Sequence, residues 1–216
     1  MDLEDDERSM SSLGRLLAFT DGVFAIAITL LMVGIGVPRG LSTADLSKAL
    51  HDDVVPELAI AALTFAVIGL FWLSHRSLFG YLQASDSRLL LLGLTFLAPI
   101  TVLPFTTELL GRYGQSTTAV VWYASNVCVT AVLETAMWAY VIRTPKLLRY
   151  APHPLMRVGA IHSAAAVVVF GGSIPVAFVS PTVAQLCWLG FPAIRLVRSR
   201  IRRTERQSAR PEPHRG

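Results

Sequence analysis

Few side chains in this sequence are placed to do chemistry, and those few lie in apolar surroundings. Asp21 follows Thr20, six residues after Arg15, at the head of the run RLLAFTDGVFAIAITLLMVGIGV over 15–37. Glu134 and His162 interrupt two other apolar stretches, and His75 closes a third. A carboxylate inside a membrane-length apolar segment is costly, so it marks a functional or architectural site. The chemistry such groups allow is proton or cation handling; Asp21, Glu134 and His162 together would suit a proton-coupled secondary transporter. Against that alternative, no inverted repeat is visible. An enzyme has less support, because Gly-rich phosphate loops and HExxH, CxxC and GxSxG motifs are all missing. No nucleophile–base or metal-ligand spacing occurs among the embedded polar residues, and no cofactor is implied. Cys128 and Cys187 both lie in apolar runs and read as small packing residues.

The elements that must hold these groups are membrane helices. Of the 216 residues, 53% are hydrophobic and only 16% charged, with a mean hydropathy of +0.53. A soluble domain would carry about a quarter charged residues. Six spans are expected, at about Leu16–Val37, Val54–Leu73, Leu89–Leu110, Thr118–Ile142, Val158–Val179 and Thr182–Val197. The first, at 1.5 Å per residue, reaches about 33 Å, enough for the hydrocarbon core. Pro99 and Pro104 predict kinks in the third, and Gly171-Gly172 with Pro175 a break in the fifth. A short helix is expected from Ser42. The chain thus divides into a polar leader over 1–14, a six-helix membrane domain over 15–197 and a basic disordered tail over 198–216.

Charge gives the sidedness. Of the 19 Lys and Arg residues, all but Arg39, Lys48 and Arg112 fall on the side of the termini. The positive-inside rule then puts both termini in the cytoplasm of a cell membrane. The pI near 9.4 follows from this distribution, so nucleic acid is not the expected partner. Seventeen arginines against two lysines fit a GC-rich bacterial genome.

On the first helix, Phe19, Val23, Ile26, Leu30, Val33 and Val37 are spaced 4, 3, 4, 3, 4. Asp21 lies some 140° from Ile26 on the wheel, with Ala25, Ile28 and Met32. A pore lined by the apolar stripe would aim Asp21 at a neighbouring helix. Arg15, Trp72 and His75 lie at its depth as donors, which makes Asp21 a structural anchor rather than an ion ring.

Arg15-x-x-x-Phe19-Thr20-Asp21 followed by GVFAIAITLL resembles the Arg-x-x-x-Phe-Ser-Asp signature of the transmembrane protein 175 potassium-channel family. The likeness continues in FWLSHR over 71–76, in LPFT over 103–106 and in Ser173-Ile174-Pro175 through Ser180-Pro181. It covers roughly 15–197, with Thr20 in place of the serine and Gly93 where the family usually has an asparagine. The resemblance implies an all-α channel of six helices per chain. First helices line its pore, no carbonyl filter is present, and a hydrophobic constriction falls on Ile26. Leu30 and Val33 would form the next rings, with Thr29 beside them. Arg15, Phe19, Thr20, Asp21, Trp72 and His75 would form the network that holds the helix. One copy of the motif implies a homotetramer. Potassium ions, the lipid bilayer and further copies of the chain are then its partners, and potassium passes without a fixed metal site.

The remaining polar residues have plainer readings. Glu134 is expected to pair with Arg143 or another helix, and His162 and Asn126 to bond between helices. Glu57 and Glu108 lie near the outer mouth as solvated helix-end charges.

Overall fold

A computed structural model describes residues 3–36, 40, 42–149 and 154–190. They form long helices with a single isolated β-bridge, Leu82 to Leu148, among the described residues. In chain order these are α1 (Leu3–Val33), α2 (Thr43–Ala49), α3 (Val55–Phe79), α4 (Ser87–Arg112), α5 (Thr117–Arg143) and α6 (Pro154–Val179). A seventh, α7, covers 181–190. Among the described residues, five segments are long and apolar enough to cross a membrane: Leu13–Val33, Asp45–Phe79, Ser87–Arg112, Thr117–Arg143 and Met156–Val179. The sixth expected span is described only over its first half, and the tail over 198–216 lies outside the described residues.

Several boundaries differ from the sequence expectation for identifiable reasons. α1 begins at Leu3 rather than Leu16, so the helix extends back through most of the polar leader. It ends at Val33 rather than Val37, where Gly34 and Gly36 follow; Val37 is outside the described residues. The helix expected from Ser42 is present, capped where the Ser42 hydroxyl accepts from the Asp45 N–H at 3.2 Å. It runs on through a π-helical turn, Leu50–Val54, into α3.

α4 continues through Pro99 and Pro104, and α6 through Gly171-Gly172 and Pro175, as unbroken helices. Packing explains α6. A Cβ on Gly171 would lie 3.2 Å from the Cys128 sulfur of α5, so the glycine admits a close neighbour rather than ending the helix. Gly159 does the same for Trp138, whose ring would be 2.5 Å from any Cβ there. The Trp138 indole donates to Ser74 at 3.2 Å, tying α5 to α3. Trp188 donates to Ser173 at 2.8 Å, which holds α7 on α6.

In the core, Thr107 donates to Thr64 at 3.0 Å, and Thr64 meets the Tyr123 hydroxyl at 3.0 Å. This buried chain joins α4, α3 and α5, and such interhelical bonds contribute about 0.6 kcal/mol each in membranes. Helix α1 packs against α3 and α4 and, among the described residues, not against α5 or α6.

Candidate functional site

The 3.6-residue turn divides α1 into two faces. Thr20, Phe24, Ala27 and Leu31 recur at four, three and four residues and are all buried against α3 and α4. On the other side Phe19, Ile26, Leu30 and Val33 are open; Ile26 is 62% exposed and Val33 76%, against 1% for Phe24. Val23 is half-buried and Thr29 exposed. The Thr29 hydroxyl donates its proton to the Ile26 carbonyl at 2.9 Å. Its oxygen therefore presents only lone pairs outward, the arrangement that suits a cation. The apolar stripe and this hydroxyl share one open surface. That surface is wider than the stripe, since Ala25 and Met32 on the Asp21 side are exposed as well.

Asp21 sits at the edge between the two faces. The Trp72 indole N–H donates to its Oδ1 at 2.8 Å, and Arg76 Nη1 approaches Oδ2 at 3.5 Å. The Arg76 guanidinium also lies 5.6 Å from the centre of the Trp72 ring. Trp72 and Arg76 are four residues apart on α3, so one helix face supplies both contacts. Asp21 and Arg76 are 40% and 61% exposed, so the ion pair itself contributes little beyond the indole bond.

The other expected donors do not reach Asp21. Arg15 is exposed and belongs to neither ion pair among the described residues. Thr20 donates to the Leu16 carbonyl of its own helix at 2.8 Å. His75 is one position short of Arg76, a turn of about 100° on the helix, and that rotation carries it into the core. There it stacks on Phe96 at 5.2 Å and 10°, with Phe79 at 4.4 Å and Phe24 at 6.1 Å. Neither ring nitrogen has a hydrogen-bond partner among the described residues, so His75 bonds neither Asp21 nor Thr20. Arg76 was the donor missed by sequence reasoning; its i, i+4 spacing from Trp72 was the available signal. Gly93 is buried, and a Cβ there would meet nothing within 4 Å, so α4 offers open space where the resemblance puts an asparagine.

The remaining polar residues tie helices together away from α1. Glu134 is buried on α5 and accepts from the Ser163 hydroxyl of α6 at 2.7 Å; Arg143 is exposed and in neither ion pair among the described residues. His162 is half-buried on α6. Asn126 of α5 bridges to Thr106 of α4 at 3.2 Å. With its amide turned, it also reaches the Pro99 carbonyl at 3.1 Å and the Leu103 N–H at 3.3 Å, beside the proline-interrupted turn. Glu108 pairs with Arg112 at 2.8 Å, and Glu57 packs on Gly111.

Comparison with known proteins converges on one family. The family described as "Endosomal/lysosomal potassium channel TMEM175" matches residues 15–104. A protein named a potassium channel from Streptomyces collinus is 35% identical over 142 residues, spanning 64% of this chain and 68% of that one. The structure of a "lysosomal potassium-selective channel TMEM175 homolog" from Chamaesiphon minutus superposes with a TM-score of 0.77 at 25% identity. It covers 88% of this chain and 98% of the other. A zebrafish protein named an "Endosomal/lysosomal proton channel TMEM175" is 23% identical over 146 residues, where this chain matches only 28% of its length.

Proposed function

Because this chain belongs to the transmembrane protein 175 potassium-channel family, we propose that it conducts potassium passively through a pore lined by α1 from four identical copies. The observation that carries this reading is the open face of α1. A helix buried on one side and apolar on the other, with a lone-pair-presenting hydroxyl at Thr29, is suited to enclose a narrow path with its own copies. Ile26 forms the constriction, and Leu30 and Val33 the next rings outward. A ring of large apolar side chains closes the path by dewetting, while Thr29 lowers the desolvation of a passing cation. Asp21, with Trp72 and Arg76, fastens each pore helix to its scaffold instead of binding the ion. Both termini lie in the cytoplasm of a bacterial cell membrane, consistent with the distribution of arginines.

A transporter built on Asp21, Glu134 and His162 has less support. Glu134 is bonded to Ser163 within the α5–α6 pair, and α1 does not reach either helix among the described residues. The test is flux from liposomes loaded with potassium, sodium or a pH-sensitive dye. Wild type is expected to pass potassium faster than sodium, and Ile26→Ala to pass both faster. If neither protein conducts while the purified particle stays fourfold, the reading fails. Saturable, proton-driven uptake lost in Glu134→Gln would replace it with the transporter.

A further inference from the structure

We propose that the rim formed by the α3–α4 and α5–α6 connections binds the phosphate groups of anionic phospholipids. These connections are distant in sequence but fastened together by their backbones. The Gln83 N–H donates to the Leu147 carbonyl and the Arg149 N–H to the Tyr81 carbonyl, each at 3.0 Å. Leu82, Leu147 and Leu148 are buried beneath this bridge, so the rim is a fixed platform rather than two swinging loops.

Four exposed cations ride on the platform: Arg88 in the first turn of α4, Arg143 at the end of α5, and Lys146 and Arg149 on the bridge. Across 77–88 and 143–157 the sequence contains one acid, Asp86. That acid is already committed. Its carboxylate accepts from the Leu89 N–H at 2.9 Å, capping α4, and from the Tyr140 hydroxyl at 2.6 Å. The ion pairs among the described residues are Arg76–Asp21 and Arg112–Glu108, and none of the four cations takes part in them.

Among the described residues four cations therefore face one acid, Asp86, which acts on Lys146 and Arg88 without an ion-pair contact, and the surplus sits at the ends of two membrane-length helices, Ser87 of α4 and Arg143 of α5. A membrane offers anionic headgroups at that depth, and guanidinium groups match the oxygen geometry of a phosphodiester. Because the backbone is already pinned, less order is lost on binding than in an unconstrained basic segment.

The test is lipid retention by the full chain, read by native mass spectrometry from micelles with equal phosphatidylglycerol and phosphatidylcholine. Lipid mass is read without any ion flux, so its outcome is separate from that of the channel reading. Wild type is expected to keep phosphatidylglycerol in preference. The pair Lys146→Gln/Arg149→Gln is expected to lose it by roughly thirtyfold, Arg88→Gln/Arg143→Gln similarly, and Lys146→Arg/Arg149→Lys to keep it. Should the first pair misfold, the second carries the test. The proposal is overturned if both neutral pairs keep phosphatidylglycerol, or if phosphatidylcholine is held equally. It is also overturned if loss follows only from Arg202→Gln/Arg203→Gln in the basic stretch, or if millimolar inorganic phosphate displaces the lipid, which would mark a free-anion site.

Discussion

Helices α1 and α5 are of similar length and both are apolar, yet they are held very differently. Eleven residues of α5 are buried within a single chain, distributed from Ala119 to Val141. From Leu13 onward α1 buries five: Leu13, Thr20, Phe24, Ala27 and Leu31. Helix α5 is enclosed by α4 and α6 and bonded to them through Asn126, Glu134 and Cys128. Among the described residues, helix α1 has neighbours on one side and a half-exposed anchor at Asp21. Within one copy, α5 is thus packed on two sides among the described residues, whereas α1 is covered on one side only. Stability and conduction should then respond to different residues.

The strongest contrast is expected at glycines. At Gly159 a methyl group would meet Trp138 at 2.5 Å, and Trp138 is fully buried and fixed by Ser74, so neither side can yield cheaply. Overpacking of this kind typically costs about 1–3 kcal/mol. Gly159→Ala is expected to lower the thermal unfolding temperature substantially, and Gly159→Leu to abolish folded protein. Gly22, on the open side of α1, has nothing within 4 Å of a Cβ, so Gly22→Ala should leave the unfolding temperature unchanged or raise it. If both substitutions lower it equally, the two helices are not held differently.

The reverse contrast belongs to Ile26. At 62% exposure its truncation removes few contacts within one copy, so Ile26→Ala should leave chain stability nearly untouched while cation flux from liposomes rises. Glu134→Gln makes the matched comparison. It keeps an acceptor for the Ser163 hydroxyl and lies away from α1, so potassium flux should stay close to wild type. A large loss of flux in Glu134→Gln, with folding intact, would erase the division between scaffold and path.

These contrasts follow the limits of what the sequence made legible. Membrane helices could be read because twenty apolar residues leave the backbone no alternative to satisfying itself. The two faces of α1 could be read because the 4, 3 spacing repeats for four turns. Tertiary choices were harder. His75 and Arg76 are adjacent and both basic, yet one helical step sends the first into an aromatic cage and the second to Asp21. Gly171 and Pro175 looked like a break because local propensity favours one; the close approach of α5, with Cys128 against Gly171, is a contact no local pattern reveals. The Leu82–Leu148 bridge joins two Pro- or Gly-containing connections that carry no strand signal of their own. The family likeness brought in Arg15, Thr20 and His75 beside Trp72 as partners of Asp21, and of these Trp72 bonds it among the described residues.

The anchor on α1 should show an intermediate effect. Asp21→Asn keeps an oxygen for the Trp72 indole and loses the charge pair with Arg76, whereas Asp21→Ala loses both and leaves the half-buried indole N–H without its acceptor. With both charged groups substantially exposed, the pair itself contributes roughly 0–1 kcal/mol. The indole bond to a charged group contributes about 1.5–3 kcal/mol at most before allowance for that exposure. Thermal unfolding is therefore expected to rank wild type, then Asp21→Asn close behind, then Asp21→Ala. If Asp21→Asn falls as far as Asp21→Ala, the charge and not the indole bond holds α1.

The smallest effect is expected in the packed half, at the Asp86 tether between the start of α4 and the end of α5. Desolvation opposes the charge of Asp86. The Tyr140 hydroxyl, the Leu89 N–H and nearby Lys146 and Arg88 outweigh it and hold the carboxyl below its ordinary value. A carboxyl depressed in the folded state stabilises above its unfolded pKa, about 3.9, and that contribution is lost as pH falls through the lower folded value. Thermal unfolding measured from pH 6 down to pH 3 should therefore show wild type losing a small increment below about pH 4. Asp86→Asn should lack that increment at pH 6 and converge on wild type in acid. Because Asp86 joins helices that are already well packed, the difference should be smaller than that of Asp21→Ala. A larger one would mean that the bundle on the α5 side depends on its interfacial tether more than on its buried core.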